Sequence, residues 1–497
     1  MTSTESVRPL LDTDHTHVAP AIRGGIFIGG RWVSPRGQAT LLVQDPATGE
    51  ELARVPAAGT EEALAAVAAA AEAFPAWSGL SATERGAPLR RAYDLVRERA
   101  DELAHVLTLE QGKSMAEATG EVLWGAEYLL WYAEEIRRSH GEMVPGDSPG
   151  QRISIHRRPR GVVACITPWN FPNAMLLRKL APALAAGNTV VAKPAEQTPL
   201  SAVKIFEILE DAGFPPGVVN LVCGEPETVG DALCTAPEVR QISFTGSTEV
   251  GRMLMARGAR QLKKVTVELG GVAPFIVFAD ADLDLAVDKL IAAKFANAGQ
   301  SCVAPNRVMV EREVFEDFTS RLTAQVSRLR LGHGLSEGVD VGPLIESAAV
   351  TRVKHQLADA VSRGATVVTG GEPPESLDPR RFFTPTVVTD VAPDSLVLSE
   401  ETFGPLLPLA VFTDESEVLA AANGTDDGLG AYVFTRDLGR AHRVAEGLDY
   451  GMVAVNDASF GYVQAPFGGV RDSGDGREGG REGLLEYQET QYLNINF

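Results

Sequence analysis

Apolar positions along this chain fall into two alternating patterns: short β-branched runs and longer stretches with helical spacing. Val162–Ile166 reads as a buried strand and Ala174–Ala185 as the helix after it. Thr189–Lys193 with Pro199–Ala212, Val218–Val222 with Glu227–Cys234, and Gln241–Phe244 with Glu249–Ala256 repeat the unit. This alternation predicts an α/β fold with a doubly wound parallel sheet, whose carboxyl strand ends face a nucleotide. A second α/β series opens at Pro274–Phe278, after Gly270-Gly271, and runs to about Val470.

Upstream, Ile26–Val33 and Leu41–Gln44 read as strands, and Thr60-Glu61-Glu62 opens helix Ala63–Trp77, with Pro75 closing or kinking it. Two long amphipathic stretches follow, Ala82–Gln111 and Ser114–Ser139. Trp124, Tyr128, Trp131 and Tyr132 sit at helical spacing, which suits core packing, although Trp124 or Tyr128 could line a channel. Gln151–Arg158 places isoleucines at period two, as a half-exposed strand does. The tail Tyr487–Phe497 alternates in the same way, and its partner strand is expected from another subunit.

The chain's 497 residues correspond to roughly three domains. A net charge of −21 disfavours nucleic acid or an anionic membrane as a partner. Cys165, Cys223, Cys234 and Cys302 form no Cys-x-x-Cys pair, so neither a disulfide framework nor a metal site is expected. That usage suits a reducing cytoplasm. No apolar run reaches membrane-spanning length. Residues 1–24 read as a loosely ordered arm.

The chemistry gathers at the ends of these elements. The helical run from Leu283 to Ala296 delivers Cys302 into a Gly/Gln/Ser turn ahead of strand Asn306–Glu311. A thiol so placed is either a small packed filler or a nucleophile on a scaffold. Asn170, between Pro168 and Pro172, stands in a stiffened loop and can aim N–H donors at developing negative charge, or bond its own turn. Lys193 and Glu196 end the next strand, where they can donate to and accept from ribose hydroxyls. Gly246 and Ser247 lead a strand into a helix N-terminus, which suits a pyrophosphate. Glu268, at a strand end beside two glycines, is a surface carboxylate or a general base.

These segments occur in a fixed order: Trp-Asn-Phe-Pro, Lys-Pro-Ala-Glu, Phe-Thr-Gly-Ser, Val-Glu-Leu-Gly-Gly and Gly-Gln-Ser-Cys. Glu400-Glu401-Thr402-Phe403-Gly404-Pro405 and Pro466-Phe467-Gly468-Gly469 follow. Together they resemble the aldehyde dehydrogenase superfamily from about residue 25 to the end. The resemblance implies Cys302 as nucleophile, Glu268 as general base, and Asn170 with the Cys302 backbone N–H as oxyanion hole. It implies NAD, in preference to NADP, on Ile166, Thr167, Trp169, Lys193, Glu196, Gly246, Ser247, Glu401 and Phe403. Lys179 and Glu478 match a pair that is either a proton path or a structural salt bridge. A modest push toward thiolate would make Cys302 competent at neutral pH.

The implied layout has a dinucleotide-binding domain over 25–147 and 160–269 and a catalytic domain over 270–484. Segments 148–159 and 485–497 would form a small β arm for oligomerisation into a homodimer or homotetramer. Trp131-Tyr132-Ala133-Glu134-Glu135, Met175–Leu184 and Phe295–Gln300 resemble the succinate-semialdehyde dehydrogenase branch. That likeness implies a small aldehyde substrate with a carboxylate bound by Arg178, with Phe171 and Phe467 beside it. The branch's second carboxylate-binding Arg falls at Ala296, its substrate-binding Ser at Gly461, and its second Cys at Ala304. A neutral or bulkier aldehyde, and a thiol esterase, are the alternatives.

Overall fold

A computed structural model of the chain describes residues 25–497; the arm expected over residues 1–24 lies outside them. The fold is α/β and is built on two large sheets. The first has the strand order Gly474–Asp475, Lys264–Glu268, Val239–Thr245, Val162–Ile166, Thr189–Lys193, Val219–Leu221, Ile26–Ile28, Arg31–Val33. From Lys264–Glu268 to Val219–Leu221 the neighbours are parallel, and both margins are antiparallel. Val162–Ile166 and Thr189–Lys193 are buried at every position, as strands covered by helices on both faces must be.

Helix Pro172–Ala186 starts on a proline, which lacks the N–H that a first turn cannot pair, and ends at Gly187 in the left-handed region. Every residue of this helix is buried, including Arg178 and Lys179. Two cations on a wholly buried helix require an internal anion. The second sheet runs Thr366–Thr369, Thr386–Thr389, Leu406–Phe412, Pro305–Glu311, Ala273–Val277, Gly430–Phe434, Met452–Val455. Its core strand Ala273–Val277 is again buried throughout.

Several local expectations are corrected. Ile26–Val33 is a hairpin of Ile26–Ile28 and Arg31–Val33, because Gly29 and Gly30 take φ of 60° and 79° and turn the chain. Glu51–Pro56 is an additional strand, paired antiparallel with Thr40–Gln44. The stretch Ala82–Gln111 breaks at Arg99 into helices Ala82–Glu98 and Ala100–Gln111. Pro75 does not stop its helix, which runs on to Ser78.

The tail needs no other subunit for its pairing. Strand Gln488–Asn496 lies antiparallel to Gln151–Pro159 of the same chain, from Gln488 opposite Pro159 to Asn496 opposite Gln151. Alternation reports a strand's faces and not which chain supplies its neighbour. Glu142–Pro145 joins the same sheet, so the sheet begins ahead of residue 148.

Candidate active site

Ile166, Lys193, Thr245 and Glu268 are the last residues of four adjacent parallel strands in the first sheet. Ile166 lies opposite Lys193, and Thr245 opposite Glu268, so their loops leave the sheet at one level. A cavity opens there. It is lined from the first sheet by Trp169, Asn170, Phe171, Arg178, Gly246, Ser247 and Glu268, and from the second by Cys302, Glu401, Phe403 and Phe467. Ile166, Thr167, Lys193 and Glu196 do not line it; they stand at the neighbouring strand ends.

Cys302 follows a tight turn, Ala296–Gly299, in which Asn297 and Ala298 take φ of 51° and 54°. Consecutive non-glycine residues in the left-handed region need outside support. Asn297 has it: its N–H donates to Glu117 Oε1 at 2.7 Å, and its Oδ1 accepts from Gln111 Nε2 at 2.8 Å. Gln300 is pinned in turn, donating to the Asn297 carbonyl at 3.0 Å and accepting from the Ile345 N–H at 2.9 Å. The thiol held by this turn is partly exposed, whereas Cys165, Cys223 and Cys234 are buried.

The expected push toward thiolate is corrected. Burial pushes the Cys302 thiol up to about 12; the Glu401 carboxylate adds to that, and Arg178 opposes it. Low dielectric outweighs the guanidinium that opposes it.

Asn170 directs Nδ2 toward the same turn, donating to the Gln300 carbonyl at 3.1 Å. An amide nitrogen carries two hydrogens, which leaves one for the cavity that Asn170 lines. Glu268 is buried, and neither carboxyl oxygen has a hydrogen-bond partner among the described residues. Desolvation, with the nearby Glu478 carboxylate adding to it, raises its pKa well above the ordinary range.

Glu478 is the internal anion that the buried helix needs. Lys179 Nζ donates to its Oε1 at 2.5 Å, and Arg178 Nε lies 2.9 Å from its Oε2 without hydrogen-bond alignment. The Arg178 guanidinium also sits 3.8 Å from the centre of the Phe467 ring. Its Nη2 is buried and has no hydrogen-bond partner among the described residues. Two cations therefore share one carboxylate on the cavity wall. Arg178 thus faces an internal acid, Glu478, which arrives from beyond the second sheet.

The residues toward Gly246 fit a dinucleotide. Ser247 caps helix Thr248–Ala259, accepting from Val250 N–H at 3.4 Å, so the helix's positive end opens beside the cavity. Thr245 Oγ1 is buried there with no hydrogen-bond partner among the described residues. Lys193 Nζ lies 3.5 Å from Glu196 Oε2, and the Glu196 side chain is 33% exposed. Trp169 packs edge-on to Phe403 at 5.5 Å. Glu401 is half-buried, and desolvation pushes it up to about 7; its carboxylate lies against Gly270, where a Cβ would force it to shift. Among the described residues no His/Cys/Asp/Glu group could hold a metal ion.

Sequence reasoning missed the supports: Gln111, Lys113, Glu117, Glu121 and Asn297. They act through contacts far apart in the chain, and the available signal was polar residues interrupting apolar stretches (Glu117 and Glu121 in Met115–Glu135). Lys294 was missed too; it is wholly buried and burial pulls it down to about 7.

A cavity that sets a thiol, an amide donor and a buried carboxyl beside a dinucleotide cradle defines a class of oxidoreductase site. Residues 32–493 match the model of the aldehyde dehydrogenase family, and the chain belongs to that family. It is 49% identical over 475 residues to a glutarate-semialdehyde dehydrogenase of Pseudomonas aeruginosa, covering 96% of this chain and 98% of that one. It is 48% identical over 469 residues to a succinate-semialdehyde dehydrogenase [NADP(+)] of Escherichia coli, covering 94% and 97%. The crystal structure of succinate-semialdehyde dehydrogenase from Burkholderia pseudomallei matches with a TM-score of 0.94 and 48% identity, over 96% of this chain and 98% of that one.

Proposed function

We propose that this aldehyde dehydrogenase oxidises an acidic semialdehyde, of the succinate or glutarate semialdehyde type, to the dicarboxylic acid, with NAD in preference to NADP. The observation that carries the substrate class is Arg178: buried, on the cavity wall, with Nη2 unpartnered among the described residues and a carboxylate shared with Lys179 to balance it. A substrate carboxylate supplies the missing partner. The relatives named above, at nearly half identity over almost the whole chain, support the same class.

Cys302 attacks the aldehyde carbon, and the proton of its thiol passes to a base. The alkoxide so formed is held by the free N–H of the Asn170 amide and by the Cys302 backbone N–H. Losing one such donor typically costs about 2.7–4 kcal/mol. The nicotinamide, when bound, supplies the hydride acceptor. Oxidation leaves a thioester on Cys302, and Glu268 deprotonates the water that releases the acid. Lys193 and Glu196 would hold the adenosine ribose, Ser247 the pyrophosphate, and Glu401 with Phe403 and Trp169 the nicotinamide end. The division into a dinucleotide-binding part over 25–147 and 160–269 and a catalytic part over 270–484 belongs to the same reading.

The test is an NADH-formation assay with succinate semialdehyde, glutarate semialdehyde and unbranched neutral aldehydes of equal length. The acidic substrates should show the higher kcat/KM, and Cys302→Ala should abolish turnover with all of them. A wild type that prefers the neutral aldehydes sinks the substrate class. Turnover by Cys302→Ala sinks the mechanism.

A further inference from the structure

Lys113 follows helix Ala100–Gln111, and its side chain is 1% exposed. Nζ donates to Glu121 Oε2 at 2.5 Å and to the Asn170 carbonyl oxygen at 2.9 Å, and it lies 4.0 Å from the centre of the Phe171 ring. Glu121 gives its other oxygen to the N–H groups of Asn173 and Ala174, at 2.9 and 3.2 Å, in the opening turn of helix Pro172–Ala186. The ion pair therefore grips the Asn170 loop on both sides, at the Asn170 carbonyl and at the start of the helix behind it. Neither Lys113 nor Glu121 lines the cavity.

We infer that Lys113, paired with Glu121, is a positioning residue that fixes the Asn170 peptide so that its side-chain amide meets the developing alkoxide. This rests on the reading of Asn170 as the oxyanion donor. Asn297 Nδ2 reaches the same carbonyl at 2.9 Å, so the cysteine turn and the asparagine loop are tied to one oxygen. An ammonium is suited to this place. A charge-assisted bond is stronger and shorter than a neutral one, and the ring face takes up the remaining positive field. Burying that charge is costly unless it is paired, which is Glu121's part. The arrangement stiffens a donor whose misplacement by an ångström can cost about a hundredfold in rate.

The test is a double-mutant cycle in the full-length enzyme, read as the pre-steady-state NADH burst with a saturating semialdehyde. Lys113→Met leaves Glu121 buried and unpaired, so Lys113→Met/Glu121→Gln, which keeps the acceptor for Asn173 and Ala174, is measured beside it. Either variant should slow the burst about ten- to a hundredfold. It should change iodoacetamide alkylation of Cys302 less than about twofold, since alkylation forms no oxyanion. In an Asn170→Ala background the same substitutions should cost less than about twofold. A burst of wild-type rate in the paired variant, an undiminished penalty in the Asn170→Ala background, or equal loss of alkylation and burst overturns the inference. Should Asn170→Ala itself leave the burst unchanged, the oxyanion reading fails first and takes this one with it.

Discussion

Burial and the carboxylates around Cys302 keep it a thiol in the cofactor-free protein, and that has a kinetic signature. Thiolate, not thiol, is the nucleophile, so its fraction rises about tenfold per pH unit below the pKa. Alkylation of the cofactor-free enzyme by iodoacetamide should therefore climb at about that rate between about pH 7 and pH 9; a plateau near pH 8 would contradict the environment described. Glu268 has the complementary signature. A carboxyl whose pKa is raised by burial gives up its proton at a higher pH than an ordinary carboxyl and acts as a base once it has done so. Glu268→Gln should give a rapid burst of up to about one NADH per active subunit and then slow turnover, because acylation and deacylation are separate steps. Unchanged steady-state turnover at saturating substrate would remove Glu268 from that role. Both residues stood out as candidates because each follows an element beside small residues, and it was the family resemblance that gave them their expected roles. Their protonation was not legible in sequence, because it depends on Glu401 and Glu478, which arrive from distant segments.

Helix Pro172–Ala186 carries the specificity argument at the scale of an element. Its consecutive cations, Arg178 and Lys179, reach the two oxygens of Glu478. Arg178→Leu leaves Lys179 and Glu478 as a neutral pair, so the fold should survive while the cavity loses its spare positive charge. KM for a carboxylated semialdehyde should rise roughly ten- to a hundredfold, the equivalent of one charge-assisted contact of about 1.5–3 kcal/mol, and KM for a neutral aldehyde should hardly move. Equal effects on both substrates would make Arg178 structural. The strand Thr189–Lys193 makes the cofactor argument in the same way. It ends on Lys193, with Glu196 partly exposed just beyond. A 2′-phosphate near Glu196 meets like charge, so kcat/KM should favour NAD, and Glu196→Gln should narrow the NAD/NADP ratio about tenfold. A wild type that uses NADP as well as NAD, as the printed name of the Escherichia coli relative allows for that enzyme, would refute the assignment of Glu196. The strands and helices of this region were readable almost to the residue, since the period of their apolar positions is unambiguous. The partner of Arg178 was not readable, since nothing in the helix itself names an acid three hundred positions away.

Across the whole molecule, the two α/β series were legible as alternating strands and helices, while the pairing of the C-terminal strand within its own chain was not. Pattern reports which face of an element is buried; it does not report what lies against that face. Glu110 shows the same limit and offers a test of stability. It ends a helix that packs on the first sheet's helices, is wholly buried, and accepts the N–H groups of Leu200 and Ser201 at 2.8 Å each. Burial pushes its carboxyl from 4.5 up to about 8. The folded chain therefore keeps a proton through that interval which the unfolded chain gives up. Its contribution to stability is complete below about pH 4.5, falls as the pH rises, and is lost once the pH passes about 8. Glu110→Gln is neutral at every pH and removes that slope. The net charge of −21 makes both proteins less stable at higher pH through self-repulsion, so only the difference between them is informative. Thermal midpoints at one scan rate, measured from about pH 5 to pH 8.5, should fall more steeply for the wild type, with the curves crossing as the difference grows to a few kcal/mol. Parallel curves would mean that Glu110 is ionised in the folded protein at neutral pH, held as an anion by the helix N-terminus it caps.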